Sequence, residues 1–260
     1  MPATHLYTPG SFCWYELATT DQPAAKNFYI SLFGWAVNDM PMGPQELYSM
    51  FQLDGKDVGA AYTMRPEQQQ QNVPPHWMIY VAVENADEAA RRAAELGGTI
   101  CAPAFDVSDM GRMAVLTDPT GATFSVWQAK KQTVSLAQGA EGSVCWADLS
   151  TPDTETASKF YSQLFGWEIS AGNDASGYIH IKNGEEFIGG IQASANRNPN
   201  APPHWLIYFL VSDGNVAGER ATGLGAQFLL PPMEMENVGR MAILKDPQGA
   251  VFALFQPASK

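Results

Sequence analysis

Basic residues are scarce in this 260-residue chain: 15 Lys and Arg stand against 27 Asp and Glu, a formal net charge of −12. A field of that sign repels phosphate backbones and anionic lipid, which argues against nucleic acid and membrane surfaces as partners. Cysteine is scarce as well. Cys13, Cys101 and Cys145 include no CxxC pair, and any single disulfide leaves one thiol over, so the pattern points to a reduced, cytoplasmic protein. Long apolar runs are missing. Stretches such as Trp77 to Val83 fall far short of a bilayer span, and the N-terminal MPATHLYTPGSF lacks the basic flank and apolar centre of an export signal. Core material is abundant, with 45% hydrophobic and 11% aromatic residues, which excludes a disordered chain. At about 150 residues per domain, the length allows two compact domains or one large one.

The chain repeats itself. CWYELATTDQPAAKNFYISLFGW, Cys13 to Trp35, returns as CWADLSTPDTETASKFYSQLFGW, Cys145 to Trp167, at an offset of 132 with 12 of 23 positions identical. Pro74 to Gln128 matches Pro202 to Gln256 without a gap at an offset of 128, with 24 of 55 identical. The difference in offset puts a net four-residue change around Asn38 to Gln71, where loops tolerate it. Two homologous domains follow, residues 1–128 and 143–260. They are joined by the small and polar stretch 129–142, which reads as a linker.

Each half presents its signals in one order. A short aromatic-rich strand, Phe12 to Leu17 or Val144 to Leu149, precedes a helix announced by Asp21 and Pro23, or by Asp153. Ala25, Phe28, Tyr29, Leu32 and Phe33 recur at helical spacing before Gly34, and such a stripe is core. Short β-prone stretches broken by Pro41, Gly43, Gly55 and Gly59 complete a βαβββ unit. A second unit starts at HWMIYVAV, runs through a helix over Asp87 to Leu96, and ends in strands closing at Gln128. Between the units RPEQQQQNVPP reads as a solvated loop.

These motifs resemble the vicinal oxygen chelate superfamily, which includes glyoxalase I, extradiol dioxygenases and the bleomycin and fosfomycin resistance proteins. The resemblance is carried by D-x-x-x-A-x-x-F-Y-x-x-x-F-G-W at Asp21 to Trp35 and Asp153 to Trp167, and by PPHWxIYxxV. GRMA at Gly111 and Gly239, and D-P-x-G-A-x-F at Asp118 and Asp246, complete it. It covers nearly the whole chain, and its tandem form is similar to two-domain glyoxalase-like proteins related to a mycobacterial secreted antigen. The implied fold is α+β: two tandem domains, each of two βαβββ modules that curl an antiparallel sheet into a cup around a small molecule.

The resemblance also implies metal positions. A His or Gln ligand falls at Trp14 and Trp146, the second-module ligand at Met78 and Leu206, the terminal Glu at Ser125 and Ala253, and the remaining one near Ala60 and Gly190. Indole, leucine and alanine cannot ligate, and a thioether is too soft for a hard divalent ion. The expectation is no metal at these positions and no cofactor.

Strand alternation then brings other residues to the cup. Glu16 and Asp148 lie two after the tryptophans, and His76 and His204 two before Met78 and Leu206. A carboxylate and an imidazole in each cup can bind a polar ligand, move a proton or anchor a displaced metal. Alternatively, a His beside two prolines pins its loop, the preferred reading for both histidines. Trp14, Tyr80 and Trp127, and Trp146, Tyr208 and Phe255, either wall a ligand or fill the cup as core. Arg112 and Arg240 either hold a ligand anion or, the preferred reading, pair with Asp118 and Asp246 or cap a loop. DPTG and DPQG are turn chemistry, and Cys13 and Cys145 read as buried thiols.

Three functions fit. The leading one is a metal-independent protein that binds and sequesters a small aromatic or cationic molecule. The second is an enzyme, a glyoxalase-like lyase or isomerase that uses a shifted metal or the acid/base pairs Glu16/His76 and Asp148/His204. The third is a scaffold or sensor with closed cups. A homo-oligomer is compatible with all three.

Overall fold

The computed structural model describes residues 7–44, 46–131, 136–171, 177–192 and 197–258. The N-terminal six residues and 132–135 of the seam lie outside that set. The first repeat runs β1 (Phe12–Thr19), α1 (Gln22–Phe33), β2 (Ala36–Pro41), β3 (Leu47–Leu53), β4 (Lys56–Thr63), α2 (Pro66–Gln70), β5 (His76–Ala82), α3 (Ala86–Glu95), β6 (Thr99–Val107), β7 (Gly111–Thr117) and β8 (Thr123–Ala129). The second runs β9 (Val144–Ser150), α4 (Thr154–Phe165), β10 (Glu168–Ala171), β11 (Ile179–Asn183), β12 (Glu186–Ile191), β13 (His204–Leu210), α5 (Gly214–Gly223), β14 (Gln227–Met235), β15 (Gly239–Lys245) and β16 (Val251–Pro257).

Asp21 starts α1 by accepting from the Ala24 amide at 3.0 Å, and Asp153 starts α4 in the same way from Thr156. Both helices stop at a left-handed glycine, Gly34 or Gly166, with φ 74°. No helix among the described residues is long and apolar enough to cross a membrane.

Each repeat builds one eight-stranded sheet, in the orders β2-β3-β4-β1-β5-β8-β7-β6 and β10-β11-β12-β9-β13-β16-β15-β14. The sheets are mostly antiparallel, but β1/β4, β5/β8, β9/β12 and β13/β16 pair in parallel. The cause is the module itself. The helix returns the chain to its starting end and the two hairpin reversals cancel, so the last strand runs in the direction of the first.

Two compact units emerge, and each draws on both repeats. Unit one takes in the described residues of Met1–Trp14, Met78–Thr133 and Ala147–Trp205; unit two those of Tyr15–Trp77, Val134–Trp146 and Leu206–Lys260. The core of unit two surrounds Tyr29, whose ring packs on Trp35, Phe51, Trp77, Phe209 and Phe252. Its hydroxyl donates to Asp246 Oδ2 at 3.0 Å and accepts from Trp77 Nε1 at 2.9 Å. Unit one repeats the arrangement. Tyr161 donates to Asp118 Oδ2 at 3.0 Å and accepts from Trp205 Nε1 at 2.9 Å, among Phe124, Phe160 and Trp167. The tryptophans of the FGW motifs also bond across sequence, Trp35 to the Gly142 carbonyl and Trp167 to that of Gly10.

Two sequence expectations are corrected. Arg112 and Arg240 do not pair with Asp118 and Asp246. Each aspartate is consumed by its own turn, its Oδ1 accepting from the amides two, three and four residues on, and by a tyrosine of the other repeat. The glutamine run is not a bare loop: Pro66–Gln70 is a short helix, with Gln68 Oε1 accepting from the Arg65 amide and Gln69 donating to the Met64 carbonyl.

Candidate functional site

In unit one, Cys13, Tyr80 and Ala82 form a buried cluster on which Tyr7, Trp14, Met78, Met113 and Trp127 pack. The register explains the shared face. Tyr80 on β5 pairs with Ser125 on β8, Ala82 with Trp127, and Met113 and Val115 on β7 with Trp127 and Ser125. Side chains at registered positions lie on one side of a sheet, so Tyr80, Ser125, Trp127 and Met113 share a face. Gly111 gives Trp127 its place, since a Cβ there would come 2.3 Å from the indole.

Unit two carries the counterpart from the second repeat. Leu206, Tyr208 and Ala253 are buried, with Cys145, Trp146, Met241, Ile243, Val251 and Phe255 around them. Burial pushes the Cys13 thiol far up and that of Cys145 to about 12, so both are protonated at neutral pH and neither is a ready nucleophile.

The expected carboxylates have partners that sequence reasoning missed. In unit two, Glu16 Oε1 accepts from the Tyr48 hydroxyl at 2.7 Å, and Ala60 is the register partner of Glu16. In unit one, Asp148 Oδ1 accepts from the Tyr178 hydroxyl at 2.5 Å, with Gly190 beside Asp148 in the register. A Cβ on Gly190 would meet the Tyr178 oxygen at 2.0 Å, so glycine is what admits the phenol. Tyr48 and Tyr178 stand 130 apart, between the two repeat offsets, and only splitting the four-residue gap, two residues before them and two after, would have paired them. Tyr62 is half-buried, and that desolvation, with the nearby Glu16 charge, pushes its hydroxyl up to about 12; it accepts from Gln68.

The grouping of candidates therefore differs from a single list. Trp14, Tyr80 and Trp127 stand together in unit one, whereas Glu16 and His76 belong to unit two; Trp146, Tyr208 and Phe255 stand in unit two, whereas Asp148 and His204 belong to unit one. His76 and His204 each donate from Nδ1 to the carbonyl of the proline two residues before, Pro74 or Pro202, at 2.8 Å. Arg112 grips Asp87 through Nε and Nη2 at 2.7 and 2.9 Å and also reaches Asp106, while Arg240 bonds Glu234.

Burial pulls both histidines below the ordinary 6.5, against the opposing proline carbonyl; the Arg197 charge adds to the effect at His204. A depressed histidine favours folding in its neutral form. Its contribution is complete above the unfolded value and is lost as pH falls from about 6.5 through the folded value. Asp39, Asp87, Asp106, Asp109 and Asp153 are held below 3.8 by their partners and stay out of this window. Asp246, raised by burial, acts with opposite sign. Urea midpoints should therefore fall between pH 7.5 and 5.5 in the parent and fall less in His76→Gln/His204→Gln; equal pH slopes in the two proteins would contradict this.

The donor set does not suit a divalent metal. The implied ligand positions hold an indole, a thioether, a buried hydroxyl and a methyl group in the first repeat, and an indole, a leucine, an alanine and a glycine in the second. Among the described residues, no three or more His, Cys, Asp or Glu side chains gather where they could hold a metal ion.

A family model described as the Glyoxalase/Bleomycin resistance protein/Dioxygenase superfamily matches residues 11–126 and 143–254. The chain is 38% identical over 264 residues to CFP32 of Mycobacterium bovis, provisionally named a glyoxylase, with 99% of each chain covered. It is 31% identical to the anthracycline biosynthesis protein DauV of a Streptomyces species, over 96% of this chain and 94% of that one. Among solved structures, a Mn(II)-bound glyoxalase from Novosphingobium aromaticivorans aligns with a TM-score of 0.64 at 15% identity, over 95% of this chain and 82% of the other. An extradiol ring-cleaving dioxygenase from B. fuscum aligns at 0.65 and 14%, over 100% and 75%. At such identity the structural matches speak for the fold alone.

Proposed function

Because this chain belongs to the glyoxalase/bleomycin resistance protein/dioxygenase superfamily, whose members bind small molecules, we propose that it binds a flat, largely apolar organic molecule without a metal at the superfamily's positions. One observation carries the reading. Trp14 and Met78, at implied ligand positions, pack instead with Tyr80, Met113 and Trp127 into an aromatic and thioether face. Such a face offers stacking and polarisable contact and neither a carboxylate nor an imidazole for a hard cation. The name of DauV favours a fused-ring aromatic ligand. Sequestration and a cytoplasmic setting belong to this same reading.

Titration of tryptophan fluorescence with a hydroxyanthraquinone tests it. Saturable quenching is expected, unchanged after dialysis against a chelator, and Trp14→Ala should weaken it about tenfold, the loss of one large apolar wall. Trp146→Ala should act unequally, because Phe255 and Leu206 in the second repeat replace Trp127 and Met78. Quenching that vanishes with chelator and returns with Mn(II) or Zn(II) would overturn the metal-free reading.

The Glu16–Tyr48 and Asp148–Tyr178 hydrogen bonds support a second reading, acid/base isomerisation of a hydroxy carbonyl compound. It requires turnover that Tyr48→Phe and Tyr178→Phe suppress without lowering the melting temperature.

A further inference from the structure

We infer that Ser125 is the hydrogen-bonding anchor of the first repeat's aromatic face, and that the ligand taken there is a fused-ring aromatic bearing a phenol or carbonyl oxygen; the inference rests on the binding reading above. Ser125 is fully buried and its Oγ has no hydrogen-bond partner. Folded proteins seldom leave a buried hydroxyl in that state, and each instance calls for a reason. The register sets Ser125 between Tyr80 on β5 and Val115 on β7, on the face that Trp127 shares two residues later.

The fold itself has no need of the hydroxyl. In the second repeat Ala253 takes the same place, paired with Tyr208 and Ile243 and equally buried. The hydroxyl is thus an addition of the first repeat, set in a face of indole, phenol and thioether groups. Trp14, Met78, Met113 and Trp127 are only partly buried, and the thioether side chains rotate readily, so their movement admits a flat ring to the serine. A serine hydroxyl both donates and accepts, so it serves a phenol or a ketone equally, whereas a bare hydrocarbon leaves it unpaired. The second repeat, with alanine, makes no such distinction.

The probes are 2-naphthol and naphthalene, which differ by one hydroxyl. Calorimetric titrations use the full-length parent and Ser125→Ala, with a thermal melt of each. The parent should prefer 2-naphthol by about fivefold to tenfold, the contribution of one hydrogen bond in an apolar site. Ser125→Ala should lose that preference by weakening 2-naphthol alone, and should melt at or above the parent temperature because an unpartnered hydroxyl has been removed. A variant that keeps the parent's preference, or that melts several degrees lower, would overturn the anchor while leaving the binding reading standing. A parent that takes up neither probe would overturn the binding reading and the anchor with it.

Discussion

Asp246→Ala and Asp118→Ala should each lower stability by about 3 kcal/mol, because each removes acceptors for several buried donors at once. In a chain of this length that corresponds to a fall in melting temperature of roughly 6–12 °C. Asp246 is 2% exposed; its Oδ1 accepts from the amides of Gln248, Gly249 and Ala250, and its Oδ2 from Tyr29. Burial and the neighbouring carboxylate push the Tyr29 and Tyr161 hydroxyls well above 10, so both remain donors across the usable pH range. Truncation leaves the turn amides and the Tyr29 phenol to find other partners inside an aromatic core. Asp246→Asn should cost less, since it keeps an oxygen for the turn and sheds a charge that burial disfavours. Tyr29→Phe should cost about 1–2 kcal/mol. The Tyr29→Phe/Asp246→Ala double variant should cost less than the sum of its singles, because the two groups share one bond. Urea unfolding of the four proteins measures this, and strict additivity would show that the network is not coupled.

The glycines of the two GRMA motifs should respond to alanine for different reasons. Gly239 sits at φ 142°, and a Cβ there would approach the Gln256 carbonyl oxygen to 2.1 Å and the Ala258 nitrogen to 3.0 Å. Both obstacles are backbone on or just beyond the paired strand β16 and cannot turn aside, so Gly239→Ala should cost about 3–5 kcal/mol. Gly111 lies outside the left-handed region, and its obstacle is the Trp127 ring, which can rotate. Gly111→Ala should therefore cost only about 1–3 kcal/mol, the range for overpacking, while displacing the indole and weakening the aromatic ligand. Melts rank the two variants and fluorescence titration reads the ligand effect. A Gly111→Ala protein with parent affinity would mean that Trp127 has no part in the site.

Repetition made much of the architecture legible. Identical Asp-capped helices, FGW ends and DPxG turns at constant offsets mark local chemistry, and local chemistry is written in neighbouring residues. Asp21 and Asp153 cap as read, and the DPxG aspartates hold their turns. The same aspartates also defeated the reading of Arg112, because the choice between Asp118 and Asp87 depends on which loop folds over which helix. Tyr48 and Tyr178 escaped notice since they lie where the offset changes, and no local signal distinguishes a tyrosine that will reach a carboxylate from one that will pack. Ser125 looked like an inert replacement of a ligand until its burial and its missing partner were on view.

By itself the sequence determined the two α+β repeats, their helices and turns, all properties of residue type and short spacing. Only the tertiary structure decided that Tyr29 belongs with Asp246, 217 residues away, and Tyr161 with Asp118, so that each compact unit is assembled from both repeats. The reason is physical. A buried hydroxyl, carboxylate or indole takes whichever partner the packed core brings within about 3 Å, and that distance is set by how sheets and helices close on one another, which no spacing along the chain records.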